Sequence, residues 1–539
     1  MRKTIRGSAR ERRTFADPAR DGAGSENVQF SGRGWCNLAL VTEPVLDWRV
    51  CSRARLSRDP RFDGKFFIGV RGSGVYCRSI CPAPTAKEKN CCYFPTAAEA
   101  SEAGYRPCLR CRPECAPGTP AWLGTSTTVS RALRLIGESN AEDGGMEKLA
   151  ERLGVGSRHL RRLFLRHLGA TPNAVAQTRR VHFAKKLIDE TKLPMTQLAM
   201  AAGYGSVRRF NAAVRKTYHR TPMQIRAHAR RARSLPDDQY LFRLRFRPPF
   251  HWRGMLALLS TCLTPGVELI QAGTYRRSIS LNGNDGCFEV SLDDSEPALC
   301  ARIQFGDPRA LFFIVERIRS LFDLNADWTA IVDGLAADAT LSMRLKNMPG
   351  LRIPGCWNGF ELVARAILGR HLDEDEAQDI AGRVARSLGR SIANNEGLSC
   401  TFPSPDALAS ADLIGLGVME SSANSIRALA AAVRDGRIRF DGIVDWNAFL
   451  ALLQKIAGVD DWTAQYVAMR ALGQPDAFPA GGLQQCKFDL ELEARAEQWR
   501  PWRAYAAIYL SPIGTEGRSP AGGKTRSMPS ERWEKFVLT

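Results

Sequence analysis

The sequence predicts a multidomain α+β chain. In series it reads as a small zinc-bound α/β domain, an all-α domain, an α+β domain and a final all-α domain. Three observations predict this. Cys77, Cys81, Cys108 and Cys111 form a C-x3-C and a C-x2-C pair separated by 26 residues, the ligand arithmetic of a closed tetrahedral zinc site. Between residues 125 and 230, a short helix, a glycine stop and a basic second helix occur twice. Beyond residue 236, segments with period-two alternation give way to longer helical runs.

Length and charge frame the rest. At ~100–200 residues per domain, 539 residues allow three to five domains. A net charge of +20 and a pI near 9.6 call for an anionic partner. Nucleic acid is favoured over a membrane surface, because no run of about 18 apolar residues and no signal peptide stands out. Fifteen cysteines, four of them at metal spacing, suit a reducing compartment better than a disulfide framework, so a cytoplasmic, nucleoid-associated protein is expected. Residues 1–44, rich in Arg, Gly and Ser, read as a disordered tail or an over-long start, and residues 513–539 as a second tail. Order is expected from Val45, as a short helix through Cys51 and Ala54 that leads into the zinc domain at Asp59-Pro60-Arg61-Phe62.

The zinc segment, 45–118, carries Asp63-Gly64-Lys65-Phe66-Phe67, Gly74-Val75-Tyr76-Cys77-Arg78 and Tyr105-Arg106-Pro107. It closely resembles the N-terminal domain of the Ada adaptive-response proteins. The resemblance implies that Cys77 is both a ligand of one zinc ion and an acceptor of a methyl group from a DNA methylphosphotriester. The chemistry is coherent, since the thiolate is the nucleophile and zinc keeps it ionised at neutral pH. Four thiolates on one divalent ion carry about −2, and methylation takes this to about −1. Removing a negative charge beside Arg78, Arg106, Arg110 and Arg112 should strengthen phosphate binding. A zinc knuckle without chemistry is the plainer alternative. Cys91, Cys92 and Cys115 lack the spacing and read as buried free thiols.

In 125–230, Met146 to Gly154 reads as a support helix, with Ser157 capping a second helix from Arg158 to Phe164. The pattern returns as Met195 to Tyr204, with Ser206 capping Val207 to Lys216, and Thr171-Pro172 and Thr221-Pro222 close the two units. Leu160, Leu163, Phe164, Phe210 and Val214 should face the core, leaving Arg158, Arg161, Arg162, Arg208, Arg209 and Lys216 for a major groove. A solvated basic face is the plainer reading of any one arginine. The tandem units resemble the DNA-binding domain of AraC-type regulators, which implies double-stranded promoter DNA and RNA polymerase as partners. No Pro-Cys-His-Arg acceptor motif follows, so the methylguanine-directed domain of full Ada proteins is not expected.

After a linker at Arg230 to Asp238, Leu241–Phe246, Tyr275–Ile279 and Ala301–Phe305 alternate as strands and Trp252–Leu263 reads as a helix. Pro349 to Cys356, the helix Phe360–Gly369, the run Ile456–Tyr466 and Trp499 to Ala506 follow. Residues 236–512 resemble AlkA-type alkylbase (3-methyladenine) DNA glycosylases of the helix-hairpin-helix superfamily. The resemblance divides them into an AlkA N-terminal-like α+β domain at 236–348 and a glycosylase-like helical domain at 349–512. It implies hydrolysis of the glycosidic bond of a flipped, positively charged base held by aromatic walls, here Trp462 and Tyr466. The family aspartate follows a Phe-Pro-x-x turn, and Gly482 stands in its place.

Other positions depart in the same direction. Asp460 occupies the hairpin's second glycine, Asp373, Glu374, Asp375 and Glu376 crowd the loop that would press into DNA, Ser511 replaces a tryptophan, and the segment from Gly482 to Trp499 is short by about one helical turn. Three readings stay open for this half: a DNA-facing scaffold without turnover, weak activity on very labile methylated adenines, or rescue by Asp489 or Asp476. The whole chain is expected to be an alkylation-response protein: a single-turnover S-methyltransferase and transcriptional activator with a glycosylase region of impaired competence. The rivals are a functional bifunctional glycosylase with a regulatory front and a non-enzymatic zinc-containing transcription factor.

Overall fold

A computed structural model describes residues 47–118, 127–138, 145–228, 236, 238–395, 397–440, 446–479 and 489–511. The two expected tails and the turn carrying Gly482 lie outside the described residues, as does most of the linker at 230–238.

The chain opens with α1 (Trp48–Leu56), capped by the Asp47 side chain on the Arg49 N–H at 2.8 Å. Strands β1 (Phe67–Val70), β2 (Val75–Cys77), β3 (Cys91–Phe94) and β4 (Arg106–Pro107) form a sheet in the order β3-β1-β2-β4, with α2 (Ala97–Glu102) beside it. Strands β2 and β4 run parallel, which brings the segments leading to the two cysteine pairs side by side.

Helices α3 (Thr127–Glu138), α4 (Gly145–Arg152) and α5 (Ser157–Leu168) build the first helix-turn-helix unit. The long α6 (Pro172–Glu190) leads to the second, α7 (Met195–Ala201), α8 (Val207–Tyr218) and α9 (Pro222–His228). Ser206 caps α8 as expected, accepting from the Arg209 N–H. The first unit corrects the sequence reading, because Gly156 takes the cap position without a side-chain bond and Ser157 is already helical. Leu160, Phe164, Phe210 and Val214 are buried, as their spacing requires, and Leu163 is half-buried.

A five-stranded antiparallel sheet follows: β5 (Gln239–Arg245), β6 (Glu268–Gln271), β7 (Thr274–Leu281), β8 (Asn284–Leu292) and β9 (Ala298–Phe305), in the order β5-β9-β8-β7-β6. The helix α10 (Trp252–Ser260) and then α11 (Leu311–Leu321), α12 (Trp328–Leu335) and α13 (Ala339–Asn347) accompany it. Strands β6 and β8 were not legible: β8 is interrupted by Gly286 and polar residues, and β6 has only four residues. The core beneath this sheet is continuous with that of the second helix-turn-helix unit, where Phe183 of α6 meets Phe312 edge-on at 5.0 Å. The boundary expected near residue 236 is therefore not a boundary of packing.

The remaining elements are α14 (Gly359–Leu368), α15 (Glu374–Leu388), a hairpin of β10 (Ser391–Asn395) and β11 (Leu398–Cys400), α16 (Pro405–Ser410), α17 (Glu420–Arg434), α18 (Trp446–Leu453), α19 (Asp461–Arg470), α20 (Asp489–Glu497) and α21 (Arg503–Leu510). They enclose their own core around Val363, Ile426, Val467 and Tyr509. Three buried charges and the half-buried Arg365 clamp this body to the sheet. Arg277 bridges Glu268, at 2.7 Å, and Glu361, and Arg365 reaches Glu268 at 2.9 Å and Glu361 at 3.2 Å. Burial resists ionisation of Glu268, but Arg365 and Arg277 hold its pKa down at about 2. Among the described residues, no helix is long and apolar enough to cross a membrane.

Candidate zinc centre and DNA-facing surfaces

The Sγ atoms of Cys77, Cys81, Cys108 and Cys111 all lie within 4.8 Å of one another. Tetrahedral Zn–S bonds of ~2.3 Å set sulfur separations near ~3.8 Å, so the quartet fits one zinc ion. Cys77 ends β2, Cys108 follows β4, and the two turns that follow supply the other ligands. The Arg78 N–H points at the Cys111 Sγ from 3.4 Å, a backbone donor that favours thiolate. Tyr76, one residue before the acceptor candidate, is fully buried, and its hydroxyl meets His182 Nε2 of α6 at 2.8 Å.

The arginines around the quartet divide. Arg110 is exposed and Arg106 half-buried. Arg78, expected to face phosphate, is instead 2% exposed, with its Nε donating to Asp63 Oδ1 at 2.7 Å and its Nη1 to the Cys111 carbonyl at 3.0 Å. A guanidinium committed to a buried carboxylate braces the metal loop. Arg112 is likewise tied to Asp189 at 3.0 Å and Glu190 at 3.1 Å on α6. Cys115 is buried as expected, whereas Cys91 and Cys92 are half-buried on β3.

On α5 and α8, Arg158, Arg161, Arg162, Arg208, Arg209 and Lys216 are all exposed, on the faces opposite the buried Leu160, Phe164, Phe210 and Val214. The helical period therefore separates a core face from a basic face in both second helices.

In the last body, Trp462 and Tyr466 stack with ring centroids 5.0 Å apart and planes 11° from parallel. Arg470, one turn further along α19, lies 5.4 Å from the Tyr466 ring and is anchored on the carbonyls of Pro354, at 2.9 Å, and Gly355, at 3.1 Å. Its Nη1 also reaches Cys262 Sγ at 3.1 Å. Burial works against ionisation of Cys262, yet Arg470 and Arg365 pull its thiol below the usual range.

Three families match successive parts of the chain: the metal binding domain of Ada at 50–114, a helix-turn-helix domain at 149–228 and the AlkA N-terminal domain at 241–358. A Mycobacterium tuberculosis protein described as a probable bifunctional transcriptional activator/DNA repair enzyme AlkA is 38% identical over 477 residues, covering 86% of this chain and 96% of that one. The chain belongs to this activator–repair family. The Escherichia coli DNA-3-methyladenine glycosylase 2 is 30% identical over 288 residues, 52% of this chain and 99% of its own length. The bifunctional activator and repair enzyme Ada of the same organism is 32% identical over 171 residues, 32% of this chain and 47% of its own.

In this activator–repair chain, several acidic positions of the rear half are engaged. Asp460 caps α19 through the Thr463 N–H at 2.8 Å and pairs with Arg370 at 3.3 Å. Asp373 and Glu376 form a reciprocal capping box at the start of α15. Asp476 holds Arg503 at 2.9 Å and also Arg500. Asp489 begins α20, and Ser511 ends α21. Sequence reasoning missed Arg470, Cys262 and the four-charge clamp, although Glu361 and Arg365, one turn apart within the apolar run of α14, were a visible sign of buried pairing.

Proposed function

We propose that the chain is an alkylation-response regulator whose Cys77 accepts a methyl group from a DNA methylphosphotriester. The convergence of four cysteine sulfurs, with Cys77 at the end of an anchored strand, carries this reading. Cys77, Cys81, Cys108 and Cys111 would hold one zinc ion, which would keep the thiols ionised and so tie the fold and activate the nucleophile. The Cys77 sulfur attacks the methyl carbon. The S–C bond forms as the C–O bond breaks, and the phosphate oxygen leaves with the bonding pair as an ordinary diester. The product thioether is stable, so each chain reacts once. The quartet loses one negative charge near the exposed Arg110 and half-buried Arg106, and the attraction to the DNA backbone grows accordingly.

Exposed arginines on α5 and α8 then read promoter DNA, and the chain recruits RNA polymerase in the cytoplasm, at the nucleoid. The functional modules are 45–118, 125–230, 236–348 and 349–512. The test is mass spectrometry after incubation with methylated duplex DNA. One added methyl on the peptide carrying Cys77, absent when the Cys77→Ser chain is used, is the expected result. An unmodified Cys77 peptide in the native chain would sink the reading.

For the rear half, the reading is a glycosylase-like body with impaired turnover on alkylated bases. Gly482 supplies no carboxylate, and Asp476, the nearest described substitute in sequence, is bound to two arginines. Release of free alkylated base by the native chain at a rate matched by Gly482→Asp would overturn it.

A further inference from the structure

The zinc module rests on the rear half through a buried arginine that no sequence pattern announces. Arg247 follows β5 and is 1% exposed. Its Nε donates to the backbone carbonyl of Asp63 at 2.9 Å, its Nη1 to the carbonyl of Asn325 at 2.8 Å, and its Nη2 to the carbonyl of Gly118. These acceptors come from both sides of the contact, and none is a carboxylate. A buried guanidinium satisfied only by carbonyls loses its compensation if the two bodies part, because a single body offers too few acceptors. The neighbourhood is close-fitting: a Cβ on Gly64, which sits at φ +76°, would lie 2.2 Å from the Pro117 carbonyl oxygen. At the rim of the same contact, Lys65 pairs with Asp327 at 2.7 Å.

The contact continues in both directions through buried groups. Toward the metal loop, the Asp63 carboxylate is gripped by Arg78, whose Nη1 also holds the carbonyl of the zinc-ligand candidate Cys111 at 3.0 Å. Toward the glycosylase-like body, the Arg247 carbonyl accepts from Arg352, which donates to the Asp323 carbonyl at 2.7 Å. The Asp323 carboxylate in turn accepts from the Tyr505 hydroxyl of α21 at 2.6 Å. Arg78, Asp63 and Arg352 are 2%, 3% and 1% exposed, so water offers none of them a replacement partner.

We propose that Arg247 locks the zinc module to the glycosylase-like half and transmits the integrity of the cysteine quartet to helix α21. Loss of order around Cys111 frees Arg78 and then Asp63, and the Arg247 carbonyl acceptors on the module side go with them. The lock does not depend on whether Cys77 accepts methyl groups, so it stands or falls apart from that reading. The test measures the coupling directly.

Hydrogen exchange is followed on the full-length zinc-loaded chain, before and after chelation, in peptides spanning 75–77, 106–111 and 503–510. In the native chain, chelation is expected to raise exchange several-fold in all three. In Arg247→Met, the two module peptides still respond and the response at 503–510 is lost. Lys65→Met, at the rim, gives an intermediate response and serves if Arg247→Met does not fold. Chelation that leaves 503–510 of the native chain unchanged overturns the proposal, as does an Arg247→Met or Lys65→Met chain that responds in full at 503–510.

Discussion

The front and rear halves of this chain treat their charges in opposite ways. In the helix-turn-helix units, six basic residues on α5 and α8 stand exposed over buried apolar faces. In the rear half, several carboxylates that still reach solvent are paired or capped within the chain: Asp460 by the α19 amides and Arg370, Asp373 and Glu376 in a shared capping box, and Asp476 by Arg500 and Arg503. A surface that groups several exposed cations on one face attracts phosphate, whereas a carboxylate already paired and capped adds little to the local field. The comparison sets a front half that displays its cations on two helix faces against a rear half that pairs or caps several of its carboxylates.

The largest effect expected on this contrast is at Cys77. Cys77→Ser should abolish methyl uptake entirely, read as the missing methyl on its peptide, while operator binding by the exposed helices persists at its unmethylated level. Next is Gly482→Asp. If the rear pocket lost only its carboxylate, base release from methylated DNA should rise by roughly 10²–10³-fold, the typical worth of one electrostatic stabiliser. No rise would show that the missing carboxylate is not what limits the rear half.

The third concerns His182, where the two faces of the front half meet. Burial pushes its pKa down to about 4, with Glu114 opposing and Lys185 adding to the shift. The unfolded chain therefore binds one more proton between pH ~6.5 and ~4, and this group's contribution to stability falls on acidification, by ~3 kcal/mol near the lower end. Denaturant titrations of native and His182→Gln chains at pH 7 and 4.5 should show the variant losing less. Asp323, whose burial raises its pKa to about 6, acts in the opposite sense but equally in both chains.

The smallest expected effect is at Asp460. Asp460→Gly removes the cap at a cost of a few tenths of a kcal/mol and frees Arg370, so affinity for non-operator DNA should rise and its salt dependence should steepen by about one phosphate contact. A drop in affinity would mean that the Asp460–Arg370 pair is part of the DNA surface.

Much of this was legible because it is written at short range. The cysteine pairs announce their geometry through spacing of three and two residues, and α5 and α8 through the alternation of Leu160, Phe164, Phe210 and Val214 with arginines. Arg78 misled for the same reason, since an arginine beside a metal cysteine looks like a phosphate ligand until Asp63, 15 residues earlier, is seen to hold it. Arg247 was invisible in principle: its acceptors are backbone carbonyls of Asp63, Gly118 and Asn325, which any residue would supply. Gly156 displaced Ser157 from the cap because the turn after Gly154, at φ +65°, ends one residue sooner than serine preference suggests.

The closed ring of Glu268, Arg277, Glu361 and Arg365 fixes how such a chain can age. Deleting any one member strands a buried charge at ~3–5 kcal/mol, a large part of a domain's stability, so substitutions there are removed along with the fold. An exposed pair such as Asp460 and Arg370 can change at far smaller cost. Change in a body of this kind starts at its surface and reaches its skeleton last.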